Sequence, residues 1–374
     1  VIVVATVFWL SLALIAYAHL GYPLVLRALL SLRRHPTLRP GTWEEPPRVS
    51  LIVAAYDEED SIAAKVANAL ALEYPRERLE LIVASDGSAD ATVERARAAG
   101  ADLVLDLPRG GKLAAQNAAA ARASGEILAF SDANSIWEPD ALRHLIEPFA
   151  DPAVGYACGQ VRFLDSGGDN LEGAYWRYEM AVREMESGLA GVTAGNGAIY
   201  AVRASAYLPL APSGSHDLSF PFLLAKRGLR SLYVPWARAE EKMVPTLEGE
   251  FARKRRMMVG LWDIVAGEGM LRPGGYPPLY AFEVASHRLL RYATPLLHAI
   301  ALVTNFVLVP QGWIYLATMI AQLAVLNAAV LGRWVPPFRL ARYYVATTAS
   351  IAAGLWDRFR HGRPGAWEKA EGTR

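Results

Sequence analysis

Three acidic positions carry the first sign of chemistry. Tyr56-Asp57-Glu58, Asp86 and Asp132 each stand just after a short apolar run, and turn-forming residues follow each of them. Carboxylates gathered around one crevice repel one another unless a cation or a hydrogen-bonding ligand lies among them. Singly, each is equally well a turn or cap residue; together they point to a ligand. Lys112 follows Gly110-Gly111 at an expected helix start, where its charge and the helix dipole suit phosphate. A solvated surface lysine is the alternative. Asp217 is placed to cap a helix expected over Leu218–Arg227. Arg253 and Arg256 share one face of a helix expected from about Thr246 to Val265. Paired guanidiniums fit a diphosphate; the run Arg253–Arg256 also fits anionic lipid headgroups, Lys254 and Arg255 in particular.

These side chains need a scaffold, and the surrounding pattern supplies one. Apolar runs at 48–54, 79–84, 103–105 and 127–130 read as strands. Between them lie helical patterns: one from Asp60-Ser61 with Ile62, Val66, Ala69 and Leu70 at helical spacing, one over Asp90–Ala99 closed by Gly100, and an Ala-rich one over Lys112–Ala123. Asp60 or Ser61 is the expected N-cap of the first, and Glu58 is a further cap candidate. Strands alternating with helices of this length predict a parallel sheet with crossover helices. In such sheets ligands bind beyond the carboxyl ends of the strands, where the acidic residues fall. The first strand is followed by Ala54-Ala55-Tyr56-Asp57-Glu58, without the glycines that a dinucleotide pyrophosphate requires. Arg109-Gly110-Gly111-Lys112 lacks the upstream Gly and the Ser or Thr of a P-loop.

The 374 residues are 53% hydrophobic and 20% charged, which excludes a disordered chain or a disulfide scaffold. Lys plus Arg is 38 against 37 Asp plus Glu, a net charge of +1, so a globally basic nucleic-acid binder is excluded. The single cysteine, Cys158, forms no intrachain disulfide, in keeping with a reducing cytosol. The apolar residues concentrate at the ends. Residues 1–20 carry no charge and match the ~30 Å of a bilayer core. A cleaved leader would begin with basic residues and carry a shorter apolar run, so a retained anchor is expected. Arg27, Arg33, Arg34 and Arg39 follow it and put the next segment in the cytosol. Residues 295–309 and 312–332, split by Pro310-Gln311-Gly312, read as a membrane hairpin with basic outer flanks, Arg288 and Arg291 before it and Arg333 and Arg339 after it. Tyr280–Tyr292 is expected to be an interfacial helix. Tyr343–Trp356, bracketed by Arg339, Arg342, Arg358, Arg360 and Arg363, is too short for length alone to distinguish a span from an interfacial helix.

With these residues in place, the chain resembles glycosyltransferase family 2, the inverting nucleotide-sugar enzymes of the GT-A fold, over about residues 48–260. Val49-Ser50-Leu51-Ile52-Val53-Ala54-Ala55-Tyr56-Asp57-Glu58-Glu59 is similar to the family's opening strand and acidic turn. Ser85-Asp86-Gly87-Ser88-Ala89-Asp90 resembles its D-G-S-x-D turn, and Gly111-Lys112-Leu113-Ala114-Ala115-Gln116-Asn117 its G-K-x-x-A-x-N helix start. Asp132-Ala133-Asn134 stands where the family has its metal-binding D-x-D. The second half resembles the membrane-embedded polysaccharide-synthase branch of cellulose, hyaluronan and poly-N-acetylglucosamine synthases. Gly195-Asn196-Gly197 is similar to its acceptor-side loop, His216-Asp217 stands at its catalytic (T/E)-D, and Arg253-Lys254-Arg255-Arg256-Met257 at its Q-x-x-R-W. The chain departs from that pattern in Asn134 for the second Asp, His216 for Glu, and Met257 for the tryptophan. The last departure weighs against long-chain processivity.

The resemblance implies an α/β GT-A domain, mostly a parallel sheet flanked by helices, with transmembrane helices at both ends. It divides the chain into an N-terminal transmembrane helix (1–30), a cytosolic transferase domain (45–260), interfacial helices (261–293), and a C-terminal hairpin with a further membrane-associated helix and basic tail (294–374). It implies transfer of a sugar from a UDP- or GDP-sugar to a glycan or lipid-linked acceptor at the cytoplasmic membrane, in cell-surface or extracellular glycan synthesis. Ala55, Tyr56, Glu58, Asp86, Lys112, Asp132, Asn134, Arg253 and Arg256 are then nucleotide-sugar residues. Asp132 and Asn134 hold Mg2+ or Mn2+, whose preference is for oxygen ligands. Asp217 is the base, with His216 tuning its charge. Gly195, Asn196, Gly197, His216 and Trp176 face the acceptor, although the Tyr175–Tyr178 stretch is equally well helix core, and Asn117 a structural helix residue. Membrane lipids are the further partner. A transferase adding one sugar to polyprenyl phosphate is the enzymatic alternative, and an inactive transferase-like scaffold the non-enzymatic one.

Overall fold

A computed structural model describes residues 1–32, 43–164, 171–211, 214–242 and 247–362. Arg33, Arg34, Arg39 and Arg363, which entered the charge argument above, lie outside them, as does the tail that follows. The helices of the described residues are α1 (Ile2–Ala16), α2 (Tyr22–Leu32), α3 (Ile62–Leu70), α4 (Thr92–Ala98), α5 (Lys112–Ala120), α6 (Ala141–Ile146), α7 (Leu171–Leu189), α8 (His216–Ala225), α9 (Leu247–Trp262), α10 (Pro278–Glu283), α11 (Leu290–Leu308), α12 (Trp313–Leu331) and α13 (Arg339–His361). The strands are β1 (Val49–Ala55), β2 (Leu79–Asp86), β3 (Leu103–Leu107), β4 (Ile127–Asp132), β5 (Ile136–Trp137), β6 (Val154–Leu164), β7 (Ile199–Arg203) and β8 (Arg230–Lys242).

The strands form one sheet in the order β3-β2-β1-β4-β7-β6-β8-β5. Its first four strands are parallel, as the β/α alternation predicts. The rest is mixed: β7 runs antiparallel to β4 and β6, β8 is parallel to β6, and β5 is antiparallel to β8. The sheet is mixed, with four of its seven strand pairs parallel, in line with the expected mostly parallel sheet. The missed strands read poorly because their pattern is interrupted. Between Cys158 and Gln160 the β6–β8 register slips, and a Cβ on Gly159 would come 2.2 Å from the Ala237 carbonyl. Such a bulge breaks the alternation by which a strand is recognised.

β1 is buried along its whole length, and its side chains divide between the two faces of the sheet. Leu51 and Val53 join Leu81, Val83 and Ala129 on one face. Ile52 joins Ile82, Leu128 and Phe130 on the other. Packing on both faces fixes the register, because a slip of one residue would exchange them. The register sets Ala54 opposite Asp132 and Ala55 opposite Ser85, so Tyr56, Asp86 and Asp132 share one edge of the sheet.

Among the described residues, three helices are long and apolar enough to cross a membrane: Ile2–Leu32, Pro278–Gln311 and Trp313–Leu331. The first joins α1 and α2 through a π turn at Tyr17–Gly21. The second includes the Tyr280–Tyr292 stretch, which runs on into the hairpin's first apolar run through a π turn at Val284–Leu289. α13 is amphipathic and lies against α9 at a close approach: a Cβ on Gly354 would come 2.4 Å from that of Met258.

Candidate active site

The turns after β1 and β2 lock into each other. Asp57 adopts a left-handed conformation (φ 47°). Its backbone N–H donates to the Ser88 hydroxyl (3.0 Å), and its carboxylate accepts from the Ala89 N–H (2.8 Å). Glu58 is buried; its carbonyl accepts from the backbone N–H groups of Ser61 (3.0 Å) and Ile62 (2.9 Å), and its carboxylate accepts from the Ser61 hydroxyl (2.7 Å). Ser61 is the N-cap of α3, but its hydroxyl is turned to Glu58 and makes no capping bond.

Asp86 is buried beneath the Arg109–Gly111 loop. Its carboxylate accepts from Arg109 Nη1 (2.7 Å) and from the N–H groups of Gly110 (2.7 Å) and Gly111 (2.8 Å). Gly111 has φ 92°, a conformation that a side chain resists. The Arg109 guanidinium lies 3.3 Å over the Tyr56 ring, a cation–π contact. Tyr56, Asp86 and Arg109 thus form an aromatic and charged wall past the ends of β1 and β2, where Ala55 ends the first strand.

Beside it, Lys112 at the start of α5 pairs with Asp132 at the end of β4. Burial opposes the lysine's charge, but the Asp132 carboxylate, with Asp217 adding in the same sense, holds the ammonium above its usual pKa. The loop Gly195–Gly197 reaches the same point: a Cβ on Gly197 would stand 3.5 Å from Lys112 Nζ and 3.8 Å from Asp132 Oδ2. The Gly195 N–H donates to the Asp217 carbonyl (2.6 Å), and a Cβ on Gly195 would come 1.9 Å from the Tyr156 hydroxyl. Only glycine fits there. Asp217 lies in the first turn of α8, and Ser215, not Asp217, is the N-cap. The Ser215 hydroxyl donates to the Asp217 carboxylate.

Several residues serve the scaffold. His216 turns inward, packed among Phe130, Tyr200, Tyr207 and Phe220. Its Nδ1 shares a hydrogen bond with the Tyr200 hydroxyl at 2.7 Å. Burial first, and the Lys112 charge second, push it down to about 3. It is a neutral core histidine, which corrects its expected role of tuning the charge of Asp217. Asn196 is buried, donating to the Gly159 carbonyl (2.6 Å) and accepting from the Ile199 N–H (3.0 Å). Trp176 donates to the Val161 carbonyl (2.9 Å) and packs on both faces of the core. Asn117 bonds the Leu210 carbonyl (2.9 Å) and the Tyr207 hydroxyl (2.7 Å).

On α9, alternate residues face different surroundings. Lys254 donates to the Tyr343 hydroxyl (2.7 Å), and Arg255 forms a two-pronged pair with Asp357 (2.5 and 2.6 Å). Those two therefore bind α13, which corrects their assignment to lipid headgroups. Arg253 interacts electrostatically with Glu241 at the end of β8. Arg256 is exposed.

The residues fit a hard divalent cation. Asp132 offers a carboxylate and Asn134 an amide oxygen, donors that suit Mg2+ or Mn2+. The buried Ser135 hydroxyl next to them has no hydrogen-bond partner among the described residues. No group of three or more His, Cys, Asp or Glu among the described residues is placed to hold a metal alone, so a cation here draws further oxygens from a ligand.

Arg109, Lys65 and Glu241 were not read from the sequence. Arg109 stands next to Gly110-Gly111, which was its only signal. Lys65 looks like a surface residue of α3, yet it is fully buried, donates to the Ser135 carbonyl (2.7 Å) and lies 5.1 Å from the Trp137 ring centre. Burial, partly offset by Asp132, lowers it to about 7.

Residues 50–205 match the family model of glycosyl transferase family 2. A poly-beta-1,6-N-acetyl-D-glucosamine synthase of Staphylococcus aureus is 26% identical over 236 residues, 59% of this chain and 56% of the relative. The probable glycosyltransferase YdaM of Bacillus subtilis is 27% identical over 175 residues, 43% of this chain and 41% of the relative. The chain thus spans 56% of the length of the first of these relatives and 41% of the second. Among solved structures, the mannosyltransferase PcManGT from Pyrobaculum calidifontis, in complex with GDP-Man and Mn2+, aligns with a TM-score of 0.74. The match covers 95% of this chain and 99% of that one at 24% identity. The match shows the fold alone, a GT-A domain with its flanking helices.

Proposed function

We propose that the chain is an inverting glycosyltransferase that moves a sugar from a UDP- or GDP-sugar to a glycan or lipid-linked acceptor at the cytoplasmic face of the inner membrane. The observation that carries this reading is the convergence of Lys112, Asp132 and Gly197, with Asp217 in electrostatic reach of Lys112. A cation and a carboxylate for a leaving diphosphate stand beside a carboxylate for an attacking hydroxyl.

In this mechanism Tyr56, Asp86 and Arg109 receive the nucleoside, with Ala55 and Glu58 lining the turn. Lys112, Arg253 and Arg256 offset the negative charge that develops on the leaving diphosphate. Asp132 and Asn134 would hold a divalent cation, which supplies further charge neutralisation there. Asp217 accepts the acceptor's proton as its oxygen attacks the anomeric carbon from the side opposite the diphosphate. The loop Gly195–Gly197 carries no side chain beyond Asn196, which leaves room for an acceptor beside Asp132.

Membrane attachment is supported by the three apolar helices. The basic residues at both outer ends of the C-terminal hairpin, Arg288, Arg291, Arg333 and Arg339, favour a cytosolic catalytic domain. A single addition to polyprenyl phosphate is the second reading. Met257 in place of the branch's tryptophan favours it. The experiment is to incubate purified protein with a panel of nucleotide sugars and membrane lipid extract, and to read the products by mass spectrometry. Ladders of increasing length support polymerisation, one added mass on a lipid supports single transfer, and no product on any acceptor contradicts both.

A further inference from the structure

Asn134 leaves the site after β4 with one carboxylate where the family pattern has two, while Lys112 and the buried Lys65 both stand close to it. The sheet brings a second carboxylate to the same place from a distant part of the chain. β5 pairs antiparallel with β8, Ile136 opposite Glu240 and Trp137 opposite Ala239. One step further along that register, Ser135 stands opposite Glu241. Directly opposed residues share a face and the face alternates along the strand. Glu240 therefore shares the face of exposed Ile136, and Glu241 the inward face of buried Trp137 and Ala239. Lys65 reaches that same face, over the Trp137 ring and onto the Ser135 carbonyl.

The segment is held firmly. Asn68, one helical turn beyond Lys65 on α3, donates to the Trp137 carbonyl (2.9 Å) and accepts from the Trp137 N–H (3.0 Å). Lys65 and Asn68 together fix residues 135–137, and through the ladder they fix Glu241 relative to Asp132. The Ser135 hydroxyl, facing Glu241 in the register, is buried and has no partner among the described residues.

We infer that Glu241 supplies the second carboxylate of the cation site, replacing from β8 the one that Asn134 does not provide. The inference rests on the proposed donor site. The Ser135 N–H donates to the Asp132 carbonyl (3.2 Å), so the register that sets Ser135 opposite Glu241 also brings Glu241 beside the Asp132 turn. Two carboxylates so placed repel each other, and Asp132, Asn134 and Glu241 would hold a divalent cation through oxygen, which would relieve that repulsion.

The test is Mn2+ affinity, read as free Mn2+ by electron paramagnetic resonance. The samples are full-length protein in detergent with saturating GDP, and separately with UDP. Glu241→Gln and Glu241→Ala are each expected to weaken Mn2+ binding about tenfold or more. Asn134→Asp introduced into either variant is expected to restore it to within a few-fold of wild type, which a merely structural defect would not allow. Thermal unfolding checks that each variant folds, and either variant decides the matter if the other does not. If Asp132→Ala loses Mn2+ and both Glu241 variants keep wild-type affinity, this inference is overturned while the donor site stands. If the Glu241 variants lose Mn2+ and Asn134→Asp restores nothing, the inference is likewise overturned. If Asp132→Ala binds Mn2+ normally, the donor-site reading itself fails.

Discussion

The Lys112 ammonium pairs with the Asp132 carboxylate, joining the first residue of α5 to the last residue of β4. In the proposed mechanism the pair links a phosphate-binding group to a metal-binding group, so removing either has a distinct consequence. Asp132→Ala should abolish metal-dependent turnover. Asn134→Asp should preserve or raise it, because it adds a carboxylate to the set. Turnover measured with Mg2+ and Mn2+ checks both; wild-type rates in Asp132→Ala would contradict the assignment.

In the proposed mechanism Asp217 and Arg256 divide the labour between acceptor and donor. Asp217→Asn should keep donor binding within a few-fold and lose ~10²–10⁴ in transfer, the usual contribution of a general base. Arg256→Ala should weaken nucleoside diphosphate binding, and Arg256→Lys should restore only part of it, because a lysine does not reproduce the two-pronged guanidinium geometry. Calorimetry and product release on the same samples separate the two effects. Normal diphosphate binding by Arg256→Ala would return that residue to the lipid-headgroup reading.

Gly195 and Tyr156 form a packing pair with a built-in test. A Cβ at position 195 would stand 1.9 Å from the Tyr156 hydroxyl and 2.8 Å from its ring carbon. Gly195→Ala should therefore cost about 1–3 kcal/mol by overpacking. Adding Tyr156→Phe removes the nearer of the two clashes and should recover part of that loss. Unfolding of the single and double variants measures the coupling; simple additivity would show that the loop adjusts without Tyr156.

His216 should leave a pH signature. Its folded pKa of about 3 lies below the ordinary histidine value of about 6.5, so the unfolded chain binds its proton first. The associated stability is complete above about pH 6.5 and declines as pH falls towards 3. The loss of thermal stability between pH 7 and pH 5 should be smaller in His216→Gln than in the wild type. Equal losses would mean that His216 is protonated in the fold.

Much of the donor half was legible in the sequence, because a doubly buried parallel strand leaves an unbroken apolar run and the ligand residues follow its end. Val49–Ala55 followed by Tyr56-Asp57-Glu58 is of this kind. The acceptor half was less so. His216 stands next to the proposed base in sequence, but a helix turns successive side chains about 100° apart, and His216 faces the core. The opposition of Glu241 and Ser135 is a long-range pairing across a bulged strand, with no local signature. Lys65 was hidden because a lysine within an amphipathic helix normally faces water.

The membrane topology has a direct probe. Cys158 is buried, and burial pushes its thiol up to about 11, so it gives little background to thiol reagents. A cysteine in place of exposed Glu77 should react with an impermeant maleimide only in inverted vesicles. One in place of exposed Gln311, at the turn of the hairpin, should react in intact cells. The reverse pattern would place the catalytic domain outside.

The measurement that bears most directly on the central claim is nucleoside diphosphate release from a panel of UDP- and GDP-sugars. Purified protein would be assayed with membrane lipid extract and Mg2+ or Mn2+, beside chelator-treated wild type, Asp132→Ala and Asp217→Asn. The account predicts release from at least one donor, lost with chelator and in Asp132→Ala, and reduced ~10²–10⁴-fold in Asp217→Asn. Release from no donor, or release indifferent to chelator and to both substitutions, would contradict it.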